Sequence, residues 1–583
     1  MYVRELRISH FRGFDELTVK PKGHVILMGE PGAGRSDLIE ALSRVLDVDA
    51  SRNRTTTELD FHRKDTSQPA VVSVTLGGLG DEVEQLFLDY LEVWDTSENS
   101  LVAETETPES IDEGRYEWAL RLEYRAQWLH DEERCEEFVY FPKASDPSIG
   151  SFAQARRRDI EQLGFTHLRW EAGRVLDLGA RSPFRRLIEQ SAGDDFVAAI
   201  AQYVEDVAKA AARFTESSQI KTALDEVLGP LRDLLGLQGA ELSDLFRFAP
   251  EGGSLSGLLR TLGPAIDLGD GIGALPAWRR GTTTMSLLRI AEALAVSSKA
   301  SNISAIDDLG DGLDPASATH LAEVIRRSTG QVWISTRLPS VAEIFEPQEV
   351  VRLGHTAGGK RFSRQGRSPA TRAEAIAAKH WHRNLLPALS YRSVVVLEGP
   401  NDFATLHALA SRLSKENNEP LPATRGVSLI NAGITGSGGY ANVLRLAGVA
   451  REMGLRAVGV VDGDTSPESL QFLHDNASLA DAVIRLPDGA AIELAVVQGV
   501  PEDALRQAMS DAALSVNVPL PSEWEKLSGK ELEGTVISFI KKYGLHAPYV
   551  EALPLADLPP LAVAVLRQAV LVAAADASGL IQL

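Results

Sequence analysis

The stretch Val394-Val-Val-Leu-Glu-Gly-Pro-Asn-Asp402 determines how the C-terminal third of this chain is expected to fold. Its apolar residues predict a short buried strand, and two acids, Glu398 and Asp402, follow directly after it. Further along, Ala457-Val-Gly-Val-Val461 leads in the same way into Asp462-Gly-Asp464. In an open α/β sheet, residues just past the carboxyl ends of the strands line the ligand crevice. The two pairs of acids are therefore predicted to converge at one edge of a parallel sheet.

These acids predict a site for a divalent cation. Four carboxylates at one place repel one another unless cations neutralise them. Hard oxygen ligands favour Mg²⁺ or Mn²⁺, and such a cation can assist the cutting or transfer of a phosphodiester. A single acid could instead cap a helix, as Asp402 could for a helix beginning at Phe403. That explanation does not account for four acids at two strand ends.

The surrounding sequence repeats a strand–helix unit. Strands are predicted at Val394, Val427, Ala457 and Ala482, and helices near Ala404, Tyr440, Glu468 and Ile492. This alternation is typical of a Rossmann-like parallel sheet with its own core. We place the boundary before this domain between residues 366 and 390.

A phosphate-binding loop is predicted near the N-terminus. Gly29-Glu-Pro-Gly-Ala-Gly34-Arg35-Ser36 lies between a buried strand, Val25–Met28, and a helix, Asp37–Leu46. Gly29, Gly32 and Gly34 let backbone N–H groups close on phosphates, the helix N-terminus adds positive potential, and Ser36 can ligate Mg²⁺. Arg35 stands where a lysine is expected; it keeps the charge but is bulkier and planar. The loop predicts an ATP site.

The second half of that site lies far away in the sequence. The strand Ile303–Ile306 leads into Asp307, placed to hold Mg²⁺ through water, and Asp308, placed to polarise the attacking water. Ser335-Thr-Arg337 ends the next predicted strand, Val332–Ile334, where a sensor of the γ-phosphate belongs. Arg337 is the candidate for that sensor.

Composition narrows the class of protein. At 583 residues the chain predicts two to four domains, and its single cysteine, Cys135, excludes a disulfide framework and a multi-thiolate zinc site. We expect a cytoplasmic protein with no membrane segment, because the apolar run 561–575 is short and carries Arg567. The net charge is −22, yet residues 352–392 contain nine Lys or Arg against one acid. That basic stretch either holds a phosphate backbone or is a solvated linker.

The N-terminal motifs resemble the ABC-type ATPase head of the RecF/SMC group. The resemblance rests on Leu6-Arg-Ile-Ser-His-Phe-Arg-Gly-Phe14, the Gly29 loop, Asp307-Asp308 and Leu313-Asp314, with a long insertion between the two halves. A head of this kind followed by Glu-x-x-x-Asp and Asp-x-Asp resembles the OLD (overcoming lysogenization defect) family of ATP-dependent nucleases. The C-terminal part is similar to the Toprim domain of that family.

The resemblance implies a domain order and roles for the acids. Residues 1–180 and 251–370 would be the two halves of the head, 181–250 a helical dimerisation insertion, and 385–583 the Toprim domain. By resemblance, the metal ligands and general acid or base groups are Glu398, Asp402, Asp462 and Asp464. Glu493, after the fourth strand, is a further candidate ligand. The candidates for a lysine that steadies developing phosphate charge are Lys530, Lys541 and Lys542.

The chain departs from the family pattern at three catalytic positions. The loop lysine is Arg35, the water-polarising glutamate is Asp308, and the sensor histidine is Arg337. The signature loop, at Arg280-Gly-Thr-Thr-Thr284, is only loosely represented. A displaced catalytic group can cost roughly a hundredfold in rate. We therefore expect ATP binding with slow or altered hydrolysis.

The resulting functional expectation is an ATP-regulated, Mg²⁺- or Mn²⁺-dependent nuclease, acting on DNA in anti-phage defence or DNA repair. One alternative is a nuclease directed at RNA such as tRNA. Another is a nucleotide-sensing scaffold with weak ATPase activity that recruits a partner. The resemblance also implies a homo-oligomer, at least a dimer, and allows for a partner protein encoded in the same defence operon.

Overall fold

The structure is a computed structural model. It describes residues 1–47, 55–103, 114–168, 183–216, 222, 265–267, 269, 271–279, 281, 284–285, 288, 303–328, 330–356, 358–369, 371–372, 382–433, 439–575 and 578–583. The chain divides into two units, one of Met1–Gln162, Ala305–Leu309 and Gln331–Leu583, the other of Leu163–Ser304 and Gly310–Gly330. The first unit contains both sets of acids. The division into a head and a separate C-terminal domain is drawn differently and stays a prediction.

The strands are numbered in chain order. They are β1 (Tyr2–Phe11), β2 (Phe14–Val19), β3 (Val25–Gly29), β4 (Ala70–Gly77), β5 (Leu91–Asp95), β6 (Ser100–Leu101), β7 (Tyr116–Leu129), β8 (Arg134–Tyr140), β9 (Phe165–Leu168), β10 (Ala265–Ile266), β11 (Leu275–Pro276), β12 (Ile303–Ile306), β13 (Gln331–Ser335), β14 (Val350–His355), β15 (Arg361–Gln365), β16 (Ser393–Leu397), β17 (Val427–Asn431), β18 (Arg456–Val461), β19 (Ala482–Arg485) and β20 (Gly579–Gln582).

The helices are numbered likewise. They are α1 (Arg35–Leu46), α2 (Asp81–Leu86), α3 (Arg157–Glu161), α4 (Pro183–Glu216), α5 (Pro315–Ser328), α6 (Pro339–Ala342), α7 (Pro400–Asn417), α8 (Tyr440–Glu452), α9 (Pro467–Asn476), α10 (Ile492–Ala495), α11 (Glu502–Ser515), α12 (Gly529–Tyr543), α13 (His546–Ala552) and α14 (Pro560–Ala574).

The first unit contains an antiparallel sheet in the order β2-β1-β4-β7-β5-β6, with β8 paired to β7. In β1 the apolar Leu6 and Ile8 are buried and Arg7 between them is exposed, as the alternation predicts. Five of its seven strands, β4 to β8, lie between residues 70 and 140.

A second sheet carries the phosphate loop. Within it, β13 and β14 pair in parallel with the two sides of β3, and β15 pairs antiparallel with β14. All five residues of β3 are buried, because neighbouring strands and helices cover both faces. The carboxyl ends of β3 and β13 therefore meet at one edge, where the nucleotide residues were predicted.

The C-terminal sheet is wholly parallel, in the order β17-β16-β18-β19-β20. Four of its strands and the helices α7 to α10 confirm the predicted strand–helix repeat. Strand β20 was not among the predicted strands. Strands β16 and β18 are direct neighbours, so the acids that follow them emerge side by side. The apolar α14 is a core helix here, with Val565 and Ala569 fully buried.

In the second unit, α4 lies within the helical insertion predicted over 181–250 and has a break at Gly193 (φ 43°). Apart from residue 222, the rest of that insertion lies outside the described residues. Among the described helices, none has the length and apolar character needed to cross a membrane.

Candidate nucleotide and carboxylate sites

The loop between β3 and α1 has the backbone of a phosphate cradle. Gly29 has φ 152°, and a Cβ there would lie 2.2 Å from the Leu353 carbonyl oxygen. Gly34 has φ 95°, and a Cβ there would lie 2.4 Å from the Arg361 guanidinium. Side chains at these two positions would collide with neighbouring residues, so glycine is required. The loop then opens into the N-terminus of α1 at Arg35, which favours an anion.

Arg35 lies against its own loop. Its Nη1 donates to the Gly29 carbonyl oxygen at 2.6 Å. Burial lowers its pKa, Asp308 acts in the opposite direction, and Arg337 lowers it further. The cation expected to hold phosphate is therefore partly engaged by the backbone in this structure.

Asp307 is held by two hydroxyl groups. Ser36 Oγ donates to Asp307 Oδ1 at 3.1 Å, and Ser335 Oγ donates to the same oxygen at 2.5 Å. The Asp308 N–H donates in turn to Ser335 Oγ at 2.7 Å. Asp308 has a left-handed backbone (φ 48°), a conformation that non-glycine residues adopt at a cost. Ser335, a completely buried residue that the sequence analysis assigned no role of its own, fixes both acids.

A cavity of about 240 Å³ brings the predicted nucleotide residues together. It is lined by Gly32, Gly34, Arg35, Ser36, Asp308 and Arg337, and also by Glu30, Ala33, Asp37 and Arg361. Arg337 Nη2 lies 3.7 Å from Asp308 Oδ2. Their placement agrees with the predicted arrangement, while their roles in binding stay predictions.

Arg361 is the cavity residue that sequence reasoning missed. Its Nη1 lies 2.7 Å from Asp37 Oδ2, and its guanidinium carbon is 5.0 Å from the Phe14 ring centroid. Arg361 lies on β15, more than three hundred residues after the loop, and no spacing in the sequence connects the two. Only the pairing of β15 with β14, and of β14 with β3, places it there.

Two further predicted elements of the nucleotide site are the Leu313-Asp314 motif and the signature loop. Asp314 caps α5: its Oδ1 accepts the N–H groups of Ala316 and Ser317 at 3.0 Å. Hydrogen bonding from Ser317 lowers the Asp314 pKa. Of the loosely represented signature loop, only Gly281 and Thr284 are among the described residues.

At the C-terminal sheet, Glu398 and Asp462 are joined directly. The Asp462 N–H donates to Glu398 Oε1 at 2.9 Å, which links the ends of β16 and β18. Burial raises the pKa of Glu398 to about 7, with Asp462, Glu493 and Asp464 adding to the rise. Burial, followed by repulsion from Glu493, raises the pKa of Asp462 to about 6. Folding thus holds these acids where ionisation is costly.

Asp402 combines the two roles considered for it. It lies in the first turn of α7, and its Oδ2 accepts the Gly399 N–H at 3.0 Å, as in a capping box. Burial and then repulsion from Asp462 raise its pKa to about 8. A helix cap exposed to water would show no such rise, so capping alone does not account for this acid.

Asp464 differs from the other three acids. It is exposed, and its carboxylate accepts the Ser466 N–H at 3.0 Å and the Ser469 hydroxyl at 2.5 Å. These bonds, from Ser469 first, lower its pKa. In this structure Asp464 holds the turn that leads into α9, and its role as a metal ligand stays a prediction.

Glu493, in the first turn of α10, joins the group. It contributes to the raised pKa of Glu398, Asp402 and Asp462, and Lys541 Nζ lies 3.1 Å from its Oε1. This ion pair distinguishes Lys541 from the other two candidate lysines. Lys530 is exposed at the start of α12, and Lys542 lies 5.0 Å from the ring of Tyr543.

The donor set suits a hard divalent cation, but its geometry is not that of a formed cage. Carboxylate oxygens are the ligands that Mg²⁺ and Mn²⁺ prefer, and a cation would relieve the repulsion between the acids. Within the described residues, no three or more His, Cys, Asp or Glu side chains stand close enough to hold a metal ion. Cation binding therefore requires the side chains to rotate toward one another.

At least six of the nine cations of the basic stretch have carboxylate or carbonyl partners within the molecule. Arg352 is buried and bonded to carbonyl oxygens, and five further cations of the stretch form ion pairs. These pairs are Lys360–Asp15, Arg361–Asp37, Arg367–Glu452, Arg383–Glu343 and Arg392–Glu30. The side chains of Lys360, Arg367, Arg383 and Arg392 are 67–78% exposed, and both alternatives from the sequence, a phosphate-binding strip and a solvated linker, stay predictions.

These features define a mixed α/β chain that contains parallel sheets, a phosphate-loop cavity and a group of partly buried acids. Residues 1–75 match the family model described as "Protein of unknown function (DUF2813)". No curated protein matches the chain.

Three solved structures show a weak likeness to this chain. The SmcHead bound to the C-winged helix domain of ScpA is 15% identical, covers 63% of this chain and 98% of its own, and gives a TM-score of 0.34. An Smc head domain with an extended coiled coil, bound to the C-terminal domain of ScpA and derived from Pyrococcus furiosus, is 12% identical. It covers 62% of this chain and 95% of its own, with a TM-score of 0.32. Stu0660 of Streptococcus thermophilus is 8% identical and covers 66% of this chain and 86% of its own, with a TM-score of 0.32. Similarity at this level assigns neither a substrate nor a partner.

Proposed function

We propose that this chain is an ATP-regulated, divalent-metal-dependent nuclease of the OLD type, with a Toprim-like C-terminal domain. The observation that carries the proposal is the group formed by Glu398, Asp402 and Asp462 at the ends of two adjacent parallel strands. Each has a raised pKa because it is partly buried and lies among like charges. Clustered, perturbed acids at a sheet edge are more typical of a functional site than of a structural one.

Glu398, Asp402, Asp462 and Glu493 would hold Mg²⁺ or Mn²⁺ after side-chain rotation. The cation would supply an activated water and stabilise negative charge on the phosphate. Lys541 is well placed to steady that charge, because its side chain is 65% exposed and bound only at Glu493 among the contacts described. Without a cation, Glu398 has a pKa of about 7, so binding of a cation at this group would release its proton.

The nucleotide cavity supports ATP as the regulator. Ser36 and Asp307 are joined at the place expected for Mg²⁺, and three guanidinium groups, of Arg35, Arg337 and Arg361, line the cavity. Phosphodiester cleavage is downhill and does not require ATP as an energy source. We therefore assign the nucleotide a regulatory role, with a non-hydrolysable analogue reproducing the effect of ATP on cutting.

DNA is the proposed substrate, and tRNA is the alternative nucleic acid. A nucleotide-sensing scaffold is a second candidate function, favoured by one observation. Arg35 is bonded to the Gly29 carbonyl oxygen, so a cation that would normally assist phosphoryl transfer is occupied. A scaffold would bind ATP but cut none of the substrates.

The test is a cleavage assay with Mg²⁺ or Mn²⁺, with and without ATP, on duplex DNA, single-stranded DNA and tRNA. Glu398→Gln and Asp462→Asn should abolish cutting. Asp475→Asn, which changes an exposed acid at the end of α9, is the matched control and should cut normally. Wild-type cleavage by both active-site variants would refute the metal assignment. Nucleotide binding without cleavage of any substrate would favour the scaffold.

A further inference from the structure

Glu30 of the phosphate loop makes contacts that its position between Gly29 and Pro31 does not require. Its side chain is 5% exposed, and Oε1 accepts the His355 N–H at 2.8 Å and lies 3.1 Å from His355 Nδ1. Its Oε2 accepts from Arg392 Nε at 2.8 Å. Burial opposes ionisation, but the bonds from Arg392 and His355 prevail and lower the Glu30 pKa. A buried, ionised carboxylate thus faces two cationic or polar groups from later in the chain.

Arg392 lies at the start of the strands that lead to the acids. It immediately precedes β16, which ends one residue before Glu398. Its carbonyl oxygen accepts the Arg456 N–H at 3.2 Å, at the first residue of β18, which ends just before Asp462. The backbone of one residue therefore contacts the beginnings of both acid-bearing strands.

A second arginine fixes the same region. Arg352 lies on β14 in register with Met28 of β3, and its side chain is 1% exposed. It donates to four carbonyl oxygens, those of Leu389 (3.1 Å), Tyr391 (2.7 Å), Met453 (3.3 Å) and Gly454 (3.0 Å). All four belong to the segments just before β16 and β18. Burial lowers the pKa of Arg352 to about 10, which leaves it charged at neutral pH, and Glu30 supports that charge.

We propose that Glu30 and Arg392 are positioning residues that couple the phosphate loop to the strands bearing Glu398 and Asp462. Glu30 lines the nucleotide cavity, so a bound polyphosphate brings negative charge beside its carboxylate. That charge repels Glu30 and competes for Arg392, whose side chain is 76% exposed. A displacement of Arg392 acts on the starts of β16 and β18, because its backbone continues into β16 and its carbonyl oxygen accepts the Arg456 N–H. This inference rests on the proposed function and names how the two sites communicate.

The test is amide hydrogen exchange of the full chain, with and without a non-hydrolysable ATP analogue. The readout is the change in exchange of the peptides covering Ser393–Leu397 and Arg456–Val461. Arg392→Gln should bind the analogue yet show an analogue-induced change at least about fivefold smaller, at the lower end of typical coupling. Arg392→Lys keeps a cation for Glu30 and should restore the response.

Arg367→Gln is the matched control. It removes another exposed arginine of the basic stretch, whose side chain is 78% exposed and pairs with Glu452 at 3.1 Å, and it should keep the full response. The inference fails if Arg392→Gln responds as fully as wild type, or if the wild-type protein binds the analogue with no change in either strand. Coupled exchange without cleavage of any nucleic acid would refute the nuclease and leave this inference intact. Metal-dependent cleavage together with an unaltered exchange response in Arg392→Gln would support the nuclease and refute this inference.

Discussion

Replacing Asp402 by asparagine should stabilise the metal-free protein while removing its activity. The folded chain holds this acid at a pKa of about 8, against an ordinary value of 3.8. Asparagine carries no charge and can still accept the Gly399 N–H, so the capping bond survives. The substitution removes the cost of an ionised group without removing its structural contact.

The magnitude follows from linkage between protonation and folding. At 1.36 kcal/mol per pKa unit, ionising Asp402 at pH 8 costs at most about 5 kcal/mol of unfolding free energy. Because neighbouring acids share the repulsion, we expect Asp402→Asn to raise the free energy of unfolding by roughly 2 kcal/mol. A raised carboxyl pKa lowers stability progressively as pH rises from about 4 through the folded value. The gain from asparagine should therefore be largest at pH 8, smaller at pH 5 and absent below pH 4.

The assay is urea denaturation in the presence of a chelator at pH 8 and pH 5, repeated at pH 8 with Mn²⁺. Manganese should stabilise the wild-type protein more than Asp402→Asn, because the variant lacks one ligand. Asp464→Asn serves for comparison: it removes charge from an exposed turn and should stabilise at neither pH. A variant at Asp402 that is less stable than wild type at pH 8, or equally altered at both pH values, would refute the reasoning.

Three further predictions concern the nucleotide site and assembly. Arg361→Gln should weaken ATP binding in titration calorimetry by roughly tenfold, as expected for a lost charge-assisted bond. The control is Lys360→Gln, which changes the exposed neighbour of Arg361 and should bind ATP normally. Equal affinities of the two variants would show that Arg361 does not belong to the site. Asp308→Glu should raise steady-state ATP hydrolysis, because it restores the missing methylene, and an unchanged rate would mean that Asp308 does not position the water. Light scattering at micromolar concentration should show at least a dimer, as expected for the helical dimerisation insertion predicted over 181–250, and a monomer would contradict it.

Much of the fold could be predicted because local patterns are strong where strands are buried on both faces. Continuous apolar runs such as Val25–Met28 and Val394–Leu397 identify parallel strands without knowledge of their partners. The phosphate loop and the acid pairs follow such strands directly, so their approximate location followed from topology. In contrast, β20 carries exposed residues and a short apolar pattern, and its place at the sheet edge depends on distant pairing.

The electrostatic details could not be predicted, because they depend on contacts between residues hundreds of positions apart. Asp464 and Asp462 look equivalent in Asp-x-Asp, yet Asp464 is exposed and bonded to serines while Asp462 is partly buried and has a raised pKa. Arg352 and Arg392 look like phosphate-binding residues in a basic stretch. In the fold, one bonds carbonyl oxygens and the other pairs with Glu30. Composition alone could not distinguish cations used inside the molecule from cations offered to a ligand.

The Arg352 contacts bear on how freely the C-terminal sheet could be exchanged between proteins. A fragment that begins near residue 385 would retain the four carbonyl oxygens but lose the guanidinium that joins them. In the remaining part, Arg352 would lose all four of these acceptors and keep the support of Glu30 for its charge. An ATPase head from another chain could accept this sheet only if it presented a cation at the same register on the strand beside its phosphate loop. Recombination of such modules is therefore constrained by one side chain as well as by the length of the linker.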